Sequence, residues 1–228
     1  MTIKQAIECR HTVRRYTGQP IPEPVCRQLC MRIAQNNADY GVNLCLVTEN
    51  KQAFGMALRL FLAKGVRNYI ILAANDTAGA GEKIGYCGAD IMLFAQTLGL
   101  NSWWVGGTFN RKGVQKNAKI ANSHRIYGII ALGYGVVQGV PHKSKKPEEI
   151  SHYEGDAPEW FTNGIRALLL APTALNKQAF TVLGKGNQVM ISCNNGIFSR
   201  VDLGIGKYHF EIGAGKENFQ WREPFLWV

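Results

Sequence analysis

The order helix, strand, strand, small-residue helix runs twice along this chain, and it limits the folds open to it more than any other feature. In the first copy, residues 22–105, Pro22-Glu23-Pro24 starts a helix that runs to about Gln35 with Val25, Leu29, Ile33 and Ala34 on one face. Buried strands follow at 43–48 and 68–74, with a helix over 51–63 between them. The copy closes with a helix over 82–98 that carries Gly85, Gly88, Ala89 and Ala95, and then a short strand at 101–105. In the second copy, residues 156–215, Asp156 reads as the N-cap of a helix with Glu159 at its third position, running to about Leu170. Strands follow at 180–183 and 189–193, and a helix with small residues covers 202–210. The repeat lies in pattern and not in identity. It predicts two related halves around a shared cleft, against a coincidental α+β order.

Between the copies, a basic helix is expected over 111–120, an apolar strand over 125–137 and a charged linker over 142–147. At 228 residues, 46% hydrophobic and 18% charged, the chain has a globular composition able to bury a real core. Lys4, Glu8 and Arg10 interrupt any apolar leader, and no apolar run is long enough to span a bilayer, so a cytoplasmic protein without membrane contact is expected. The six cysteines form no CxxC pair and read as buried reduced thiols, and no ligand spacing suggests a metal. The net charge of +10 favours anionic ligands. Its cations are scattered and carry no nucleic-acid motif, so a small-molecule anion is expected in preference to nucleic acid.

Two segments carry chemistry. Arg10-His11-Thr12-Val13-Arg14-Arg15 packs guanidinium forks and a hydroxyl into one corner, a donor set suited to phosphate; the competing reading is a solvated basic turn. Ala171-Pro172-Thr173-Ala174-Leu175-Asn176-Lys177-Gln178 stops a helix at a proline and offers a hydroxyl and amides for hydrogen bonding. At least one of Trp103 and Trp104 reads as core. His124, His142, His152 and His209 read as surface or core histidines, and Asp202 and Glu211 as solvated or capping acids.

Taken together, Arg10 to Arg14, Pro172 to Gln178, the small-residue helix ending in Leu98-Gly99-Leu100 before Trp103 to Gly107, the strand Ile130-Ala131-Leu132-Gly133-Tyr134-Gly135 and the basic stretch Lys143 to Pro147 resemble the FMN-dependent nitroreductase family. The resemblance covers most of the chain. It implies an α+β fold, with a central, mainly antiparallel sheet flanked by helices. It implies FMN as cofactor, with Arg10, His11 and Thr12 on the phosphate, Arg14 at the pyrimidine edge, and Lys145, or Lys143 in its place, closing the phosphate site. Gly106 and Gly107 would offer backbone N–H groups near flavin N5 and O4. Pro172, Thr173, Ala174, Asn176 and Gln178 would line the flavin from the other half.

The implied activity is hydride transfer from NAD(P)H through flavin N5 to a nitroaromatic, quinone or similar acceptor, with ping-pong kinetics. A flavin-binding protein without nicotinamide-dependent activity and a basic nucleic-acid-binding module are the competing readings. Two departures stand out. The proline-containing turn usually follows the first long helix, where this chain has Ala34 to Asp39, and Ala179-Phe180 replaces the usual Pro-Trp. Usual members are homodimers, so the displaced turn implies a fused pseudo-dimer: residues 1–147 as one half, 148–228 as a shorter second half, one FMN between them, and a monomer as a workable state.

Overall fold

The computed structural model describes residues 1–117, 123–194 and 196–222. Helix α1 (Ile3–Cys9) begins with a capping box in which Thr2 and Gln5 bond each other's backbone N–H groups, and it buries Ala6 and Ile7. Helix α2 (Glu23–Tyr40) continues to a left-handed C-cap at Gly41, φ 64°. It therefore runs five residues past the expected end and absorbs Ala34 to Asp39, so the place where the family turn was looked for is helix. Next come β1 (Asn43–Val47), a short α3 (Met56–Phe61) where a longer helix from Lys51 was expected, and β2 (Asn68–Asn75). Helix α4 (Ala80–Thr97), β3 (Asn101–Val105), α5 (Arg111–Asn117) and β4 (His124–Gly133) complete the first part. The last part of the expected 111–120 helix lies outside the described residues.

These strands form one wholly antiparallel sheet in the order β1-β2-β4-β3, with Ile70 opposite Ile130 and Trp104 also opposite Ile130 on its other side. The central strands are near-continuous apolar runs because both faces are covered. One face packs on α2 and α4 through Leu29, Ile84, Ile91 and Met92. The other is covered by Val13, Tyr16, Phe54, Ala63 and Val114.

The second part has its own sheet and not a share of the first: β5 (Ser151–Glu154), β6 (Phe180–Lys185), β7 (Gln188–Cys193) and β8 (Gln220–Trp221), in that order. Only the β6–β7 hairpin is antiparallel; β5 and β8 join in parallel. Helix α6 (Glu159–Leu168) starts at Pro158, which has no side-chain cap, so Asp156 is not the N-cap. Helix α7 (Ser199–Ala214) completes the sequence, and an aromatic cluster of Phe161, Phe180, Phe210 and Phe219 fills this core.

The two parts meet where α4 crosses α7, and glycine makes the contact possible. A Cβ on Gly204 would lie 1.9 Å from Glu82 O, and one on Gly85 would lie 2.0 Å from Val201 O. Helix propensity argues against glycine here, so close backbone approach is what requires it. Gly204→Ala is therefore expected to destabilise the fold by about 1–3 kcal/mol or more, although alanine is the better helix former. A urea midpoint equal to or above wild type contradicts this contact.

Of the six cysteines, only Cys87 is buried; Cys9 and Cys30 are exposed, against the expectation of buried thiols. Among the described residues, no helix is long and apolar enough to cross a membrane, and no group of His, Cys, Asp or Glu could hold a metal ion.

Candidate functional site

A cleft of about 590 Å³ opens beside the α4–α7 crossing, and the two chemistry-bearing segments meet in it from opposite sides. Arg10 arrives at the C-terminal end of α1. Thr12 bridges to Ser102 on β3, and Tyr16 to Gly135, so residues 12–16 are clamped as an extended segment along the sheet. Arg10, Thr12 and Arg14 line the cleft, as do Gly106 and Gly107 where the chain leaves β3. Pro172, Thr173, Ala174 and Asn176 line it from the second part.

Arg10 is the most informative of these. It is 4% exposed, its Nε has no hydrogen-bond partner, and no carboxylate pairs with it among the described residues. Burial lowers its pKa to about 10, still well above neutrality, so the guanidinium stays charged. His209, fully buried with Nδ1 2.8 Å from Ile205 O and an unpartnered Nε2, is held neutral. Burial, with help from Arg10 and His142, lowers its pKa to about 3. A buried cation with donors unused and no counter-ion costs stability unless an anion arrives. This orphaned guanidinium fits a phosphate.

The turn at 171–178 is strained as well as polar. Leu175, Asn176 and Gln178 hold φ of 54°, 53° and 44°, left-handed values that cost a side-chain-bearing residue free energy. Cross-links hold the shape: Gln178 N donates to Thr173 Oγ1 (3.0 Å), Asn176 Nδ2 to Lys143 O (2.7 Å), and Ala174 N lies 3.1 Å from both oxygens of Asp202.

Four expected contact residues do not line the cleft. Gln178 is 1% exposed and is a strut: its Nε2 donates to Leu169 O (2.7 Å) and its Oε1 accepts from Lys145 N (2.7 Å). Lys145 is bound back to the same residue, Nζ donating to Gln178 O at 3.0 Å. Lys143 is exposed and contributes its carbonyl to Asn176. His11 is half-buried and packs against Gly139, where an added Cβ would lie 2.8 Å from its own. The 142–145 segment thus braces the turn.

Other residues complete the walls. Trp103 and Trp104, of which at least one was expected in the core, both pack against core clusters and also line the cleft, half-buried; Arg14 lies 5.4 Å from the Trp103 ring centroid. His142, expected as a surface or core histidine and not a catalyst, lines the cleft with Nε2 2.9 Å from Leu169 O. Phe198, Val201, Asp202 and Ile205 come from the start of α7, and Phe198 lies over Gly106, where a Cβ would meet its ring at 2.7 Å. The one sequence signal for these was the small-residue pattern of α7, which predicts close approach without saying to what.

Asp202 is 8% exposed, and burial raises its pKa to about 6, partly offset by the Ala174 N–H. The unfolded carboxyl ionises near 3.8, so between that value and about 6 the native state binds the extra proton. Stability from this group is therefore full below about 4 and is lost as pH rises to about 6. Asp202→Asn keeps an acceptor for Ala174 and is expected to remove that slope, so the variant gains on wild type between pH 4 and 6. Melting profiles that stay parallel across that window contradict the assignment.

Comparison with known proteins agrees with this architecture. The family model described as "Putative TM nitroreductase" matches residues 2–214, so the chain belongs to this nitroreductase family. The crystal structure of a "putative nitroreductase" from Thermotoga maritima superposes with TM-score 0.64 at 22% identity, covering 95% of this chain and 85% of that one. A "Putative NADH dehydrogenase/NAD(P)H nitroreductase" from Parabacteroides distasonis gives TM-score 0.52 at 18% identity over 66% of this chain and 96% of that one. A "Nitroreductase Family Protein" from Streptococcus pneumoniae gives 0.52 at 14% identity, covering 65% of this chain and 98% of that one. They share the nitroreductase fold with this chain. No curated protein sequence matches significantly.

Proposed function

We propose that the chain is an FMN-dependent oxidoreductase of nitroreductase type, oxidising NAD(P)H and reducing a nitroaromatic, quinone or similar acceptor. The buried, unpaired Arg10 at the end of a cleft lined by Thr12, Gly106, Gly107 and Thr173 carries this reading. FMN, when bound, supplies a two-electron carrier between nicotinamide and acceptor. Arg10 and Thr12 hold the phosphate by charge-assisted and hydroxyl hydrogen bonds in a corner with no competing carboxylate on Arg10. Arg14, held against Trp103, contributes positive charge beside the ring system. Gly106 and Gly107 present backbone where a side chain would obstruct, and the strained turn from Pro172 to Asn176 forms the opposite wall.

On this reading residues 1–147 and 148–228 act as the two halves of a fused pseudo-dimer. Each presents a helix, two strands and a helix, with α3 inserted between the strands of the first, and the halves pack through the Gly85–Gly204 crossing. One face of a single flavin serves both substrates in turn, which gives ping-pong kinetics. Rapid mixing of the FMN-loaded protein with NADH or NADPH is expected to bleach the flavin absorbance. A complex that keeps its colour with both excludes nicotinamide-dependent reduction and leaves flavin binding alone.

A further inference from the structure

Behind Phe198 lies a second cleft of about 650 Å³, which shares Gly106, Gly107, Phe198 and Val201 with the first. Three guanidinium groups from three separate elements line it: Arg111 at the start of α5, Arg125 on β4 and Arg200 in the first turn of α7. Two are held in place by aromatic faces, Arg111 5.0 Å from the Phe109 centroid and Arg125 5.0 Å from that of Tyr127. Arg111 Nη1 also donates to Ile126 O at 2.8 Å, and its other guanidinium nitrogens have no hydrogen bond among the described residues. Arg200 is exposed and has no partner among the described residues. The one carboxylate among the lining residues, Asp76, is engaged by Arg125 (3.3 Å) and the Tyr127 hydroxyl (3.2 Å). Three cations against one anion leave a net positive cavity of nucleotide size, contiguous with the proposed reaction cleft and separated from it by one aromatic ring.

We propose that this second cleft is an anion subsite for the reductant, holding its phosphate groups while the nicotinamide ring passes Phe198 into the first cleft. The inference rests on the reading of the first cleft as a flavin site. It adds a recognition element that stacking on a flavin does not require, and it assigns Arg125 and Arg200 to substrate binding and not to the flavin. Planar guanidinium forks suit phosphate oxygens better than lysine would. The start of α4, uncapped by any side chain, brings Gly79 and Gly81 to the wall of the same cavity.

The test compares three reductants that share one dihydronicotinamide ring: NADH, reduced nicotinamide mononucleotide, and uncharged 1-benzyl-1,4-dihydronicotinamide. The double variant Arg125→Glu/Arg200→Glu changes exposed side chains and is expected to fold as wild type. Its kcat/KM for flavin reduction should fall by about 100-fold with NADH, by less with the mononucleotide, and not at all with the benzyl compound. An equal loss with all three, or no loss with NADH, overturns the proposal. A second arm needs no flavin: inorganic pyrophosphate is titrated into the Arg10→Met chain with and without the double substitution. Binding that disappears with the two arginines supports the subsite even if the chain takes no FMN. Binding by both proteins alike, or by neither, overturns it even if FMN binds as proposed.

Discussion

Arg10→Met is expected to stabilise the FMN-free protein and to abolish useful FMN affinity, two effects of opposite sign from one substitution. The guanidinium is 4% exposed, its Nε has no partner, and its pKa is lowered to about 10 by burial alone. Methionine has a similar length, fills irregular space and carries no charge to desolvate. Its gain in unfolding free energy should be about 2–3 kcal/mol, read by urea denaturation without flavin. Against this, the phosphate loses about two charge-assisted hydrogen bonds at roughly 1.5–3 kcal/mol each, which weakens FMN binding about 100- to 10,000-fold. A structural role for Arg10 predicts the reverse on both counts: a less stable protein, with FMN affinity falling only as the fold is lost.

The second large effect concerns the frame and not the site. Asp90 of α4 is 2% exposed, and four donor atoms converge on it: Arg32 Nε and Nη2 at 2.8 and 2.6 Å, Asn36 Nδ2 at 2.7 Å and the Tyr208 hydroxyl at 2.6 Å. It therefore ties α2 and α7 to α4 at one point. Asp90→Ala leaves Asn36 and Tyr208 buried without that acceptor and Arg32 without its counter-ion. The expected cost is about 3–5 kcal/mol, among the largest for a single polar side chain here. Asp90→Asn, which retains one oxygen, should cost clearly less. Because Tyr208 and Asp202 share α7, loosening this knot should also weaken FMN binding. Unfolding midpoints for the alanine variant within experimental error of wild type contradict the account of how the two parts are held together.

Much of this was legible in the sequence, for a physical reason in each case. Buried strands such as 68–75 announce themselves as apolar runs, because covering both faces of a sheet leaves no polar side to alternate. Glycines on α4 and α7 announced close approach because helix propensity disfavours them there. Arg10 to Arg14 and Pro172 to Asn176 were legible because their donor chemistry is local. What was not legible depends on contacts across the chain. That Gln178 and Lys145 bond each other is revealed only by the path of the 142–145 segment. Asp202 and Phe198 enter the cleft because α7 crosses α4 at a particular angle, and His142 because its loop runs past Leu169; no local pattern specifies either. The separate second sheet, parallel at both edges, was hidden because β5 and β8 are short and find their partners far along the chain. Helix α2 outran its expected end because its stop signal is the left-handed Gly41, beyond the residues that carry the apolar stripe.

On the proposed reading, two segments more than 150 residues apart build one phosphate-holding cleft within a single chain. Titrating FMN into the flavin-free protein, with stoichiometry read from flavin fluorescence and the mass of the complex from native mass spectrometry, tests it most directly. The predicted result is one FMN per chain at saturation, on a monomer, with the Arg10→Met chain failing to bind over the same range. Two FMN per chain, saturation only in a dimer, or no FMN bound at all would contradict it.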